Sequence, residues 1–222
     1  MFYDTEWIAT VDLTIADKTE RFIWPKYDPS LSDSKFIGGL NIIVDDWSNS
    51  HKEKYFKYLK KSTVCIQAGG NCGLYPYLLA QVFGVVYTFE PHPLYFHCLV
   101  NNNQKNNVIK MNAGLSFSHA MISLKKPHEN SISIGEDVSF LVDGNATPAF
   151  MIDDLPVKDC DLICLDMEGG ELDALIGGTN IIETFHPVIT CENGGEKVID
   201  FLKNFGYKIV DQSRMDVIYV AD

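Results

Sequence analysis

Two short stretches of this 222-residue chain carry residue types that do chemistry. The first is Gln67-Ala-Gly69-Gly70-Asn71-Cys72-Gly73, followed by an acid, Glu90. An apolar run (Val64 to Ile66) enters the glycines, and a second (Val85 to Phe89) ends at the acid. Strand, glycine turn, helix, strand, acid is the outline of a nucleoside-binding βαβ unit. In such a unit the turn lets a ligand approach the main chain and the acid accepts hydrogen bonds from two ribose hydroxyls. The spacing Gly69-x-x-x-Gly73 lacks the closely set third glycine of a pyrophosphate cradle, which disfavours a dinucleotide.

The second stretch is Asp161-Leu-Ile-Cys-Leu-Asp166-Met-Glu168-Gly-Gly-Glu171. An apolar strand ends at Asp166 and Glu168, two glycines follow, and a helix starts near Glu171, where an acid complements the helix dipole. Ligands of open α/β sheets sit outside the carboxyl ends of the strands, so Asp166 and Glu168 point at the site. Glu192 closes a later apolar run and joins them as a candidate base. His92, directly after Glu90-Pro91, is a further candidate. The other histidines show no ligand spacing.

The elements that must position these residues alternate from Thr63 onward. Strands are expected at Val64–Gln67, Val85–Phe89, Val108–Met111, Leu162–Asp166 and Val188–Glu192. Helices are expected at Tyr75–Phe83, Pro93–Asn103, Glu171–Ile176 (extending toward Thr184) and Gly195–Phe205. Such alternation implies a parallel sheet with helices on both faces. Lys208–Val210 and Val217–Val220, close in sequence, read as an antiparallel hairpin at its edge. Before the alternation, Trp7 to Ile15 runs with period two, and Arg21–Trp24 is its hairpin partner across Asp17-Lys18-Thr19. A further apolar stretch is expected at Leu40–Val44, and Ser48-Asn49 can cap a helix with Phe56, Tyr58 and Leu59 on one side and lysines on the other. Ser123 to Ala149 is polar and glycine-punctuated, a place for a substrate-facing insertion.

Composition narrows the partners. Hydrophobic residues make up 46% of the chain, as in ordinary globular proteins, and the net charge is −12. That field repels polyanions, so nucleic acid is not an expected partner. No apolar run approaches a membrane span, and the N-terminus lacks the pattern of a signal peptide. Six cysteines without a CxxC pair, three of them inside apolar runs, fit reduced thiols in a cytoplasmic protein.

Taken together, QAGGNCG at Gln67–Gly73, FEP at Phe89–Pro91 and LDMEGGE at Leu165–Glu171 resemble the FkbM-type class I methyltransferases. Those read approximately DVGANIG, FEP and IDVEGAE in the same order. The resemblance covers about Thr63 to Val220. It implies a seven-stranded Rossmann-like, mostly parallel sheet and S-adenosylmethionine (SAM) as methyl donor. It also implies O-methylation of a sugar or other small-molecule hydroxyl. On that basis residues 61–222 form the methyltransferase domain and 1–60 a β-rich extension with a leading helix. Gly69, Asn71 and Gly73 would cradle the methionine part, Glu90 beside Pro91 the ribose, and Asn112 would lie near the adenine. The chain departs from the family at Gln67, where an acid is usual. Asp166, on the donor side as well as the acceptor side, suits a sulfonium cation. In catechol-type O-methyltransferases an acid and an Asp-Asn pair hold Mg²⁺; Asp166, Glu192 and Asn193 occupy those places here. Two rival readings are an N-methyltransferase and a non-catalytic SAM- or nucleoside-binding module. Against the first, Asp-Met-Glu-Gly stands where Asn-Pro-Pro-Tyr is usual.

Overall fold

The computed structural model describes residues 7–26, 28, 56–123, 146–192, 194–213 and 216–222. The expected apolar stretch at Leu40–Val44, the Ser48-Asn49 cap, most of the insertion after Ser123 and Asn193 lie outside the described residues.

The described residues start with a hairpin, β1 (Ile8–Ile15) and β2 (Lys18–Pro25), paired antiparallel from Ile8↔Pro25 to Ile15↔Lys18. Its two turn residues, Ala16 and Asp17, both take positive φ (48° and 63°), as a two-residue hairpin turn with matching twist requires. Val11, Leu13 and Ile15 are buried with Phe22 and Trp24, while Thr10, Asp12 and Thr14 stay exposed. The period-two pattern therefore marks one buried face.

The alternating part follows: β3 (Val64–Ala68), α1 (Leu74–Leu79), β4 (Val85–Phe89), α2 (Pro93–Asn102) and β5 (Val108–Met111). Next come β6 (Gly114–Leu115), β7 (Ala120–Ser123) and β8 (Ala146–Phe150). The chain then gives β9 (Leu162–Leu165), α3 (Glu171–Ile176), α4 (Thr179–Phe185), β10 (Val188–Glu192), α5 (Glu196–Lys203), β11 (Tyr207–Ser213) and β12 (Asp216–Ala221). Seven strands form one sheet in the order β11-β12-β10-β9-β3-β4-β5. The five from β10 to β5 run parallel; β12 is antiparallel to β10 and to β11. The expected Rossmann-like sheet and C-terminal hairpin are both present.

Strand residues serve the two faces alternately. Cys65, Val86, Leu162 and Ile218 pack with the hairpin, α1 and α2. Ile66, Phe89, Ile163 and Tyr219 pack with α3, α4 and α5. Two-sided burial is what makes β3, fully buried, read as a continuous apolar run.

Several details differ from expectation. The first hairpin turns at Ala16-Asp17 rather than across Asp17-Lys18-Thr19. The helix begun at Glu171 breaks at Gly177-Gly178 and resumes as α4. A Cβ at Gly177 would lie 2.1 Å from the Ser116 carbonyl oxygen, so glycine lets the end of α3 press onto the chain after β6. Strands β6, β7 and β8 add a small sheet of order β6-β8-β7, so both ends of the stretch Ser123 to Ala149 are strand.

Candidate active site

The sheet order reverses between β3 and β9. The carboxyl ends of these two strands therefore frame the crevice where open α/β sheets bind ligands. One wall is the turn Gly69–Gly73. Its backbone donors are all engaged within the protein. The N–H groups of Gly69 and Gly70 reach the Phe89 carbonyl (3.2 and 2.9 Å), and that of Gly73 reaches the Gly70 carbonyl (2.8 Å). The Asn71 N–H donates to Glu90 Oε2 at 2.7 Å, and the Cys72 N–H to Asn71 Oδ1 at 2.6 Å. No N–H remains to cradle a pyrophosphate, which is a structural reason to prefer a non-phosphorylated nucleoside.

The turn glycines meet protein rather than ligand. A Cβ on Gly69 would lie 1.8 Å from the Asp166 carbonyl oxygen, one on Gly70 2.4 Å from Leu99 Cδ1, and one on Gly73 2.2 Å from Asn103 Nδ2. The spacing thus reflects close packing of the turn on β9 and α2, a role sequence reasoning assigned to the ligand.

Glu90 directly follows β4 and is buried. Oε2 accepts the Asn71 N–H, and Oε1 accepts the His92 N–H at 2.7 Å. Burial pushes its carboxyl up to about 7, against these two bonds, which favour the ionised form. Asn112 donates to the Glu90 and Pro91 carbonyls (2.8 and 3.1 Å), tying the end of β5 to the end of β4. The Pro91 carbonyl also accepts from the Thr147 hydroxyl at 3.2 Å. Asn71, Glu90, Pro91 and Asn112 are therefore brought together.

Gln67 is not brought to the crevice surface. It is 1% exposed; its Nε2 donates to the Ala68 carbonyl at 3.0 Å and its Oε1 accepts from the Thr88 hydroxyl. Thr88 stands opposite it in the β3–β4 register.

The other wall is acidic. Carboxylate oxygens of Asp166, Glu168 and Glu192 lie within 4.8 Å of one another. Asp166 opens on the crevice, yet protein crowds it and removes much of its water. That desolvation, with the Glu192 carboxylate beside it, holds its carboxyl well above the ordinary carboxylate range. Glu168 is held at φ 54°, an uncommon conformation for a non-glycine residue. The turn that carries it is fixed from behind: Glu171, buried at the start of α3, accepts the Met167 N–H at 2.8 Å. Tyr75 on α1 is held protonated by burial and by the charges of Asp216, Asp166 and Glu192. Burial lowers the pKa of His92, so its ring stays neutral.

Sequence reasoning missed Asn102 and Asn103, read only as the end of a helix. Asn102 donates to the Cys72 carbonyl (2.7 Å) and Asn103 to that of Gly73 (2.8 Å). Two amides at a helix end, one helix after a glycine turn, were the available signal.

Comparison with known proteins bears on this site. The model of the family "Methyltransferase FkbM domain" matches residues 75–209. No curated protein sequence matches the chain. Among solved structures, the fold is similar to that of the methyltransferase FkbM from Methylobacillus flagellatus KT, at TM-score 0.50 and 16% identity. That match covers 85% of this chain and 55% of the other, so the chain spans little more than half of that relative. A protein from Streptococcus mutans, described as a methyltransferase and solved with SAH, matches at TM-score 0.45 and 12% identity, over 77% of this chain and 94% of that one. An rRNA methylase from Streptococcus thermophilus matches at TM-score 0.42 and 11% identity, over 77% and 93%.

Proposed function

The chain belongs to the FkbM methyltransferase family, and from that premise we propose that it moves the methyl group of SAM to a hydroxyl of a sugar or other small metabolite. The observation that carries this reading is the pairing of two walls across one crevice. On one side is a turn with no free N–H beside a buried acid; on the other are three clustered carboxylates. That set suits a nucleoside whose other end is cationic and suits a polyphosphate poorly.

Glu90, beside Pro91, would accept the ribose hydroxyls, and Asn112 would border the base. Gly69, Asn71 and Gly73 would border the amino-acid part. Gln67 acts in this reading through Thr88 and the β3–β4 pairing, with no contact of its own to the donor. When bound, the donor supplies a methyl group already activated on a sulfonium. Asp166, Glu168 and Glu192 then have two tasks. The cluster's charge offsets the sulfonium, and Glu168 or Glu192 takes the proton of the acceptor hydroxyl, with Asp166 holding its own proton beside them. Positioning the acceptor oxygen supplies much of the remaining rate.

The acid cluster favours a second reading. Three hard oxygen ligands suit Mg²⁺. Activity unchanged by a chelator would end it. Among the described residues no helix is long and apolar enough to cross a membrane. The six cysteines are all free thiols, and a cytoplasmic setting is part of the proposal.

The test is titration with SAM followed by methyl release over a panel of sugars and small alcohols. Turnover on a hydroxyl acceptor is expected, with kcat reduced about 100-fold in Glu168→Gln or in Glu192→Gln, the scale of general-base removal. Binding with no turnover on any acceptor would favour the non-catalytic module, and turnover confined to amines an N-methyltransferase.

A further inference from the structure

We propose that Asn102 is a positioning residue for the methyl-donor turn, and that through it the N-terminal hairpin is a working part of the donor site. The inference rests on the donor reading given above.

Asn102 is the last residue of α2, and its amide is used on both sides. Toward the hairpin, Oδ1 accepts the Ile23 N–H at 2.8 Å and Nδ2 donates to the Ile23 carbonyl at 2.9 Å. Toward the crevice, Nδ2 donates to the Cys72 carbonyl at 2.7 Å. One side chain thus spans β2, α2 and the glycine turn. Asn103 continues the grip on the next carbonyl, that of Gly73, and stands where a Gly73 Cβ would be, so the turn has little slack on this side.

The first turn of α2 repeats the arrangement. Trp24 Nε1 and the Tyr95 hydroxyl both donate to Asp28 Oδ2, at 3.0 and 3.1 Å, joining the end of the hairpin to α2. Three residues before Tyr95, the His92 N–H donates to Glu90. The helix is therefore fastened to the hairpin at both ends, and each end also holds a piece of the donor site: Glu90 at one, Cys72 and Gly73 at the other. A ten-residue helix is about 15 Å long, a strut of fixed length between them. Neither the hairpin nor the turn falls within residues 75–209, the part that matches the family model.

Asn102→Ala leaves the Ile23 N–H, the Ile23 carbonyl and the Cys72 carbonyl without this partner, while touching no atom of donor or acceptor. The experiment measures the SAH dissociation constant and the steady-state constants for SAM. It uses the full chain and three forms: unmodified, Asn102→Ala and Ile15→Val. The last removes one methyl from the hairpin core, far along β1 from Asn102, and serves as a control for general loosening. The expected result is SAH affinity about tenfold weaker in Asn102→Ala, KM for SAM raised to match, and kcat within twofold. Ile15→Val should bind as the unmodified chain does. If the alanine variant does not fold, Asn102→Asp reports instead. It has the same shape, keeps the acceptor for the Ile23 N–H and lacks the donor to the Ile23 and Cys72 carbonyls, and the same weakening is expected. Equal SAH affinity in the Asn102 variants and the unmodified chain overturns the inference, as does an equal loss in Ile15→Val. If the unmodified chain binds no SAH, the donor reading itself fails, and this inference with it.

Discussion

Gly69→Ala is expected to lower the melting temperature by about 10 °C. The added Cβ would sit 1.8 Å from the Asp166 carbonyl oxygen and 2.9 Å from its carbon. Both atoms are main chain, at the junction of the two central strands, so no side chain can swing aside. Gly69 also takes φ 81°, a left-handed conformation that costs an L-residue about 1–2 kcal/mol. Relief of the overlap by moving β3 from β9 adds about 1–3 kcal/mol. A chain of this size loses about 2–4 °C per kcal/mol. Gly169 provides the contrast. Its φ is 104°, but nothing lies within 4 Å of a Cβ there, so Gly169→Ala carries only the conformational term. Scanning calorimetry of the two variants separates the effects. A Gly69→Ala melting temperature no lower than that of Gly169→Ala would contradict the packing described here.

Glu90→Ala should weaken SAH binding about 100-fold, through two losses. The first is the proposed pair of ribose bonds, each worth about 0.5–1.5 kcal/mol between neutral partners. The second is the acceptor for the Asn71 and His92 N–H groups, the loss of which loosens the turn at Asn71. Glu90→Gln isolates a third property. In the folded chain this carboxyl keeps its proton up to about pH 7, against 4.5 ordinarily. The folded state therefore binds the extra proton across that window. The stabilising contribution is complete below about 4.5 and is lost as pH rises through 7. Glu90 should accordingly cost the fold about 3 kcal/mol between pH 4.5 and 7.5, a slope that Glu90→Gln removes. Equilibrium dialysis with SAH and urea unfolding at the two pH values measure these effects. Unchanged SAH affinity in Glu90→Ala would remove Glu90 from the donor site.

Much of the sheet was legible because its central strands, β3 and β10 above all, are buried on both faces. Val85–Phe89, Val108–Met111 and Val188–Glu192 are short apolar runs bounded by polar turns, and their ends fall where the sequence put them. Helix α1 stops at Leu79 rather than Phe83; Gln81 and Val82 bond three residues back, to Leu78 and Leu79, and tighten the chain into turns. The types of the site residues were legible too, but their partners were not. Gln67 reads as a crevice residue until the register places Thr88 opposite it, and one sequence carries no register. The turn glycines read as room for a ligand until β9 and α2 are seen filling that room. Asn102 reads as a helix end, because its partner Ile23 is 79 residues away.

A structure of the protein with SAH bound would test the central claim most directly. The account predicts ribose hydroxyls on the Glu90 carboxylate and the sulfur turned toward Asp166, Glu168 and Glu192. SAH held outside the crevice between β3 and β9, or a ribose held there without Glu90, would contradict it.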